Sequence, residues 1–293
     1  MPALIDLRRR IKSVRNTQQI TQAMKTVSTA KFKKAQRRVL ESRPQWHHFP
    51  GLTERVSFWA GRQVTPLLEV REEKKIEALV ITSDKGLCGA FNSNLLARAM
   101  AFFEQKSAGA EIGLVLVGKK AVHFFKKQRL TIHRAYSDRI DKITKNDLRN
   151  IAHFLMRQYT FARVDAVYAV YNEFKSILSP KITVTRLLPL RPAEGGSTEE
   201  RDSPVVSWPP DWMPAPAGIL RSLLPLYMET QVYHCFFESL AAEQAARMMA
   251  MENATKNAEE LISDLILVLN KIRQASITKE LLEIMTAVEA LAK

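Results

Sequence analysis

Apolar residues at Leu4, Leu7, Ile11 and Val14 alternate by three and four, and the pattern resumes at Ile20, Met24 and Val27. That spacing predicts a helix with a narrow apolar seam facing one partner helix. The polar step Asn16-Thr17-Gln18-Gln19 separates the two runs and predicts a shifted seam. Pro44 and Pro50 bracket the expected helix end, with a second helix over 52–70. At the other end, Phe237, Leu240, Met248, Met251, Ala258, Leu261, Leu265, Val268, Ile272 and Ala275 keep close to coiled-coil spacing. They predict a long helix from near Ile219, with Pro225 either in its first turn or at a kink. Ala241, Ala242, Ala245, Ala246, Ala250 and Ala254 would admit a close neighbour helix.

Between the two helices the period changes. Ile76–Ser83 and Ile112–Val117 are near-continuous β-prone runs, the pattern of strands covered on both faces, and 165–171 and 181–188 are two more. Helices fit over 94–106, 119–127 and 145–161. Strand–helix alternation implies a mainly parallel, doubly wound, Rossmann-like α/β domain. The whole reads as an α+β or α/β chain: a long antiparallel coiled coil made from the N- and C-terminal helices, with that domain inserted. Expected boundaries are 1–70, 71–190, a Pro-rich loop over 191–218, and 219–293.

Charge sharpens the picture at the ends. Twelve basic residues from Leu4 to Arg43 face only Asp6 and Glu41 and supply most of the formal net charge of +14, whereas acids outnumber bases beyond Glu238. Exposed ion pairs add only tenths of a kcal/mol each, so the apolar seams set the pairing and charge sets orientation. The basic excess implies an acidic or polyanionic partner. Nucleic acid is one such partner. Against it, Phe32 is the only aromatic before Trp46, and no nucleic-acid module is present. Cys88 and Cys235 are too few for a disulfide framework, and no apolar run is long enough to span a membrane. The N-terminus reads as mature protein in a cytoplasmic setting.

Candidate chemistry is sparse. The turn Ser83-Asp84-Lys85-Gly86-Leu87-Cys88-Gly89 follows a strand and precedes a helix, where phosphate loops sit, yet it matches neither GxGxxG nor a P-loop. A tight turn needing glycine is the plainer reading, and a nucleotide-dependent enzyme using this turn is the rival. His47-His48 has no carboxylate or cysteine at ligand spacing. Met248, Met249 and Met251 read as adaptable packing. No cofactor site, metal site or catalytic group stands out.

Four segments carry a specific resemblance. Ile11–Lys34 (IKSVRNTQQITQAMKTVSTAKFKK), Ser83–Asn94 (SDKGLCGAFNSN), Leu226–Met251 and Asn270–Glu283 (NKIRQASITKELLE) resemble, in order, the gamma subunit of F-type ATP synthases. The chain departs at Ala287-Val288, where the family usually carries Gly-Ala, and matches only loosely over 191–218. The resemblance implies a non-catalytic central-stalk rotor whose coiled coil enters the hexamer of alpha and beta subunits. The globular end would bind the epsilon subunit and the c-ring, with no nucleic acid. The chain would sit peripherally at the cytoplasmic face of the bacterial plasma membrane, attached only through the complex. It also implies coupling or contact roles for Met24 and Lys25 facing beta, for Arg273, Gln274, Thr278 and Glu280 on the opposing helix, and for Lys85 and Gly86 at the lower contact region.

Overall fold

A computed structural model describes residues 2–60, 65–107, 109–128, 130–137, 140–176, 180–190 and 216–291. Two long helices, α1 (Pro2–Ala60) and α5 (Pro216–Leu291), flank β1 (Lys75–Ile81), α2 (Phe91–Ser107), β2 (Glu111–Val117), α3 (Lys119–Phe125), β3 (Thr131–Tyr136), α4 (Lys145–Thr160), β4 (Ala166–Phe174) and β5 (Pro180–Leu188). The chain divides into two compact units. One comprises the chain start through Thr29 with the stretch from Arg247 onward; the other is Ala30–Ala246.

The first unit is an antiparallel helical pair. Thr21 Oγ1 lies 2.8 Å from Thr255 Oγ1, and Lys25 Nζ lies 3.5 Å from Glu252 Oε1, so advancing along α1 means retreating along α5. Buried or half-buried positions recur at Leu4, Leu7, Ile11, Val14, Gln18, Thr21, Lys25 and Ser28 on α1. On α5 they recur at Met248, Met251, Thr255, Ala258, Ile262, Leu265, Leu269, Ile272 and Ser276. Both series alternate by three and four without interruption, so the expected shift at 16–19 does not occur. Ile20 is 61% exposed and Val27 56%, and Leu261, Val268 and Ala275 are exposed as well. A helix keeps its contact face by geometry, and the apolar run over 4–14 already sets that face. Polar residues therefore occupy the middle of the seam, while nearby apolar ones point away.

The second unit is built on a five-stranded sheet of order β3-β2-β1-β4-β5, parallel except for β5 against β4. Alternate strand residues serve two layers, as in a sheet covered on both sides. Leu79, Ile81, Val115, Val117, Val167 and Ala169 pack with Leu148, Ile151, Leu155 and Tyr159 of α4 and with Leu224, Met228, Val232 and Cys235 of α5. Ala78, Val80, Leu114 and Leu116 pack with Leu95, Ala99 and Phe103 of α2 and with Ala121 and Phe125 of α3. Each such large side chain, fully buried, contributes about 1.5–3 kcal/mol. Helix α4 starts on a capping box, with Thr144 Oγ1 accepting from Asp147 N and the Asp147 carboxylate accepting from Thr144 N.

Three expectations at element level change. α1 continues through Pro44 and Pro50 instead of ending there, since a proline removes one backbone donor and bends a helix without always ending it. α5 begins at Pro216 and runs through Pro225, so Pro225 does not start it, and Pro216 takes the first-turn place where a missing N–H costs nothing. β3 has no counterpart in the sequence pattern, because it is an edge strand whose side chains are mostly exposed. The remainder of the Pro-rich stretch, 191–215, lies outside the described residues, as do the side chains of His47 and His48.

Candidate functional site

In an open parallel sheet, ligands bind outside the carboxyl ends of the strands where the strand order reverses. Here that place lies between β1 and β4, above Ile81 and Phe174. It is filled by the chain itself. Phe32, Ala35 and Val39 of α1 and Ala241, Ala242 and Ala245 of α5 form one apolar cluster with Cys88, Phe91 and Phe174, and the Phe32 and Phe174 rings meet edge to face at 5.2 Å. Polar groups fasten the same spot. Glu238 Oε2 accepts from Phe174 N at 2.9 Å, Arg43 Nη2 donates to Phe174 O at 3.0 Å and lies 3.3 Å from Glu238 Oε1, and Ser239 Oγ donates to Ile81 O at 3.4 Å. Burial pushes the Glu238 carboxyl up, while the Phe174 N–H and Arg43 pull it back. The alanines anticipated as close-approach residues are what let the helix sit this near the strand ends.

The β1–α2 turn is likewise committed to structure. Ser83 Oγ donates to Lys85 O at 2.7 Å, and Asn92 Nδ2 donates to Ser83 Oγ at 2.8 Å and reaches Cys88 Sγ at 3.2 Å. The Asp84 carboxylate accepts from Lys119 N and Ile140 N, tying the turn to α3 and to the loop before α4. Gly89 has a φ of +57°, the left-handed region that favours glycine, and Leu87 in the same turn adopts a φ of +62°. At Gly86 an added Cβ would meet nothing nearer than 3.9 Å, so folding does not require glycine there. A nucleotide has no cradle at this turn: its hydroxyl, carboxylate and thiol are spent internally, and the crevice above is packed.

Of the residues implied by resemblance, Met24 and Lys25 lie half-buried side by side on α1, with Lys25 paired to Glu252. Arg273, Gln274, Thr278 and Glu280 are exposed on α5. Thr278 Oγ1 donates back to Gln274 O at 3.0 Å. The two groups are not together: some twenty residues of α5 separate Glu252 from Gln274, about 30 Å of helix. Lys85 is exposed and Gly86 half-buried in the other unit. The register of the pair runs α1 out near Gln274, yet α5 continues to Leu291 with Ile277, Leu281, Leu282, Ile284, Met285 and Val288 all exposed. The Arg43–Glu238 clamp was not among the expected residues. Its only trace in the sequence is a carboxylate inside an otherwise apolar helical stretch.

An α/β domain whose ligand crevice is plugged by its own helices, joined to a helical pair with a basic flank and a bare apolar end, defines a class: a coiled-coil subunit made for contact with other chains. Comparison with known proteins narrows this. The family model described as ATP synthase matches residues 3–291. The ATP synthase gamma chain of Pelotomaculum thermopropionicum is 44% identical over 99% of this chain and 100% of its own, and that of Chlorobaculum tepidum is 39% identical over 99% of both. Among solved structures, a chain of the Tetrahymena thermophila mitochondrial ATP synthase central stalk and c-ring has a TM-score of 0.58 at 25% identity, covering 80% of this chain and 99% of that one. A chain of the Euglena gracilis mitochondrial ATP synthase has a TM-score of 0.67 at 19% identity, covering 99% and 95%, and so shares the fold. The chain belongs to the ATP synthase gamma-chain family, the non-catalytic rotor subunits of the central stalk. It is thus part of an ATP synthase complex, and none of its described helices is long and apolar enough to cross a membrane.

Proposed function

We propose that the paired ends of α1 and α5 form the shaft that turns inside the hexamer of alpha and beta subunits, coupling ion flow to nucleotide chemistry on beta. The bare apolar run on α5 beyond Ser276 supports this most directly. Ile277, Leu281, Met285 and Val288 follow one another along a helix with no partner from the described chain. Such a stripe needs a sheath, and a ring of surrounding subunits supplies one. In this reading 1–70 and 219–293 serve as shaft, 71–190 as the foot that meets the epsilon subunit and c-ring, and 191–218 as the connection between foot and shaft. Lys85 and Gly86 lie at the foot contact, Met24 and Lys25 face the acidic loop of beta, and Arg273, Gln274, Thr278 and Glu280 engage the hexamer. The protein is then peripheral at the cytoplasmic face of the bacterial plasma membrane, held there by its complex.

Met24 is half-buried on α1, so Met24→Lys places a charge next to the proposed beta contact. Reconstituted enzyme carrying Met24→Lys should keep hydrolysing ATP while moving fewer ions per ATP. Unchanged pumping per ATP hydrolysed would defeat the assignment of this surface.

A further inference from the structure

Glu77 stands in the middle of the apolar run of β1 and is fully buried. Its carboxylate meets His133 Nδ1 at 2.8 and 3.1 Å. The two residues lie on strands that are not neighbours, with β2 between them. Two local features make the meeting possible. The pairing of β2 with β3 slips between Leu114 and Val115, leaving His133 without a partner in the register, and such a bulge re-aims a side chain. The intervening β2 residue is Gly113, where a Cβ would stand 2.5 Å from His133 Cε1 and 2.9 Å from Glu77 Oε2. Burial pushes the Glu77 carboxyl up, and the hydrogen bond and charge of His133 push it back down.

A buried carboxylate, a bulge and an obligatory glycine all serve one imidazole, and none of them is needed to fill the core. Removing a carboxylate from water costs several kcal/mol unless a partner compensates. The imidazole opens on a cavity of about 350 Å³ whose lining includes Lys75, Glu111, Thr131, Gln158 and Arg163. Among the described residues Nδ1 is committed to Glu77 and nothing engages Nε2. The charged groups around the ring are Glu77 and Lys75 from β1, Glu111 from β2, and Arg163 from the turn after α4. Glu77 is already matched by the ring. What remains beside the single Glu111 carboxylate is an ammonium, a guanidinium, an amide and a hydroxyl, one positive charge and several donors in excess. The ring joins them through Nε2–H when both its nitrogens carry a proton against the Glu77 carboxylate.

We propose that this cavity binds a small oxyanion, a phosphate or carboxylate group, with Lys75 and Arg163 supplying charge, the protonated His133 ring donating from Nε2, and Glu77 fixing the ring. The site lies at the amino-terminal end of the sheet, opposite the plugged crevice, and is independent of the shaft. The test uses the full-length chain with ¹³C-labelled histidine, titrated with sodium phosphate, sodium acetate or sodium chloride at equal ionic strength. His133→Gln identifies the His133 Cε1–H resonance as the signal lost. Phosphate or acetate should shift that resonance saturably and chloride should not; the stronger of the two names the ligand class. Arg163→Ala, at an exposed position, should weaken binding by about tenfold, as for one charge-assisted hydrogen bond. An equal response to chloride, a shift that never saturates, or unchanged binding in Arg163→Ala would overturn the proposal. Should His133→Gln fail to fold, the Arg163→Ala arm decides alone, read on whichever histidine signal responds to the anion.

Discussion

Single residues separate folding demands from partner demands most clearly at two glycines. Gly118 has a φ of +102°, and a Cβ there would lie 2.5 Å from the Thr82 backbone oxygen, which cannot step aside. Gly118→Ala should therefore cost at least about 2 kcal/mol in urea unfolding. Gly86→Ala, with open space around it, should stay within about 0.5 kcal/mol. A loss of coupling in Gly86→Ala with unchanged urea midpoint would then mark a partner contact; equal destabilisation by the two alanines would refute this separation. Sequence distinguishes such glycines poorly, because both follow a strand and open towards a helix. The Glu77–His133 pair was half visible: a lone acid inside IEALVI signals a buried carboxylate. Its partner was hidden, because a histidine on an exposed edge strand looks like any surface residue and the bulge that aims it has no sequence mark.

At the scale of elements, strands were legible where burial is nearly complete on both faces, as in β1, β2 and β4. The half-buried edge strand β5 and helices α2–α4 were legible too, each matching its expected segment to within a few residues. What hydrophobicity could not show was the middle of the seam, where Gln18, Thr21, Lys25 and Ser28 hold core positions and Ile20 and Val27 do not. Substitution resolves this cleanly. Ile20→Asp should change the urea midpoint by less than about 0.5 kcal/mol, as for an exposed site. Ile11→Ala, at a buried seam position, should cost about 2–4 kcal/mol. Equal costs at the two sites would restore a shifted seam. Polar seam residues weaken the pair but specify its alignment, and the Thr21–Thr255 and Lys25–Glu252 contacts set which turn of α1 meets which turn of α5.

For the whole molecule, the family was legible because its motifs are local strings, each surviving in one segment. The plugged crevice was not, because it depends on two helices from opposite chain ends meeting over one strand edge. Helix length has a consequence of its own. α5 outlasts α1 by about fifteen residues, and an isolated helix of that length is marginal in water. The last turns of α5, helical but held by no tertiary contact from the described residues, are the part of the helix most prone to fray, so the free chain should be nicked first beyond Ser276 by trypsin or chymotrypsin. The assembled complex should protect the same bonds, and equal cleavage in both states would count against this. If the hexamer surrounds this tip as proposed, the tip is completed by its host. A rotor whose end stays pliable until a ring closes round it could then be threaded late, and an orphaned copy would advertise itself to proteases by the very segment that assembly hides.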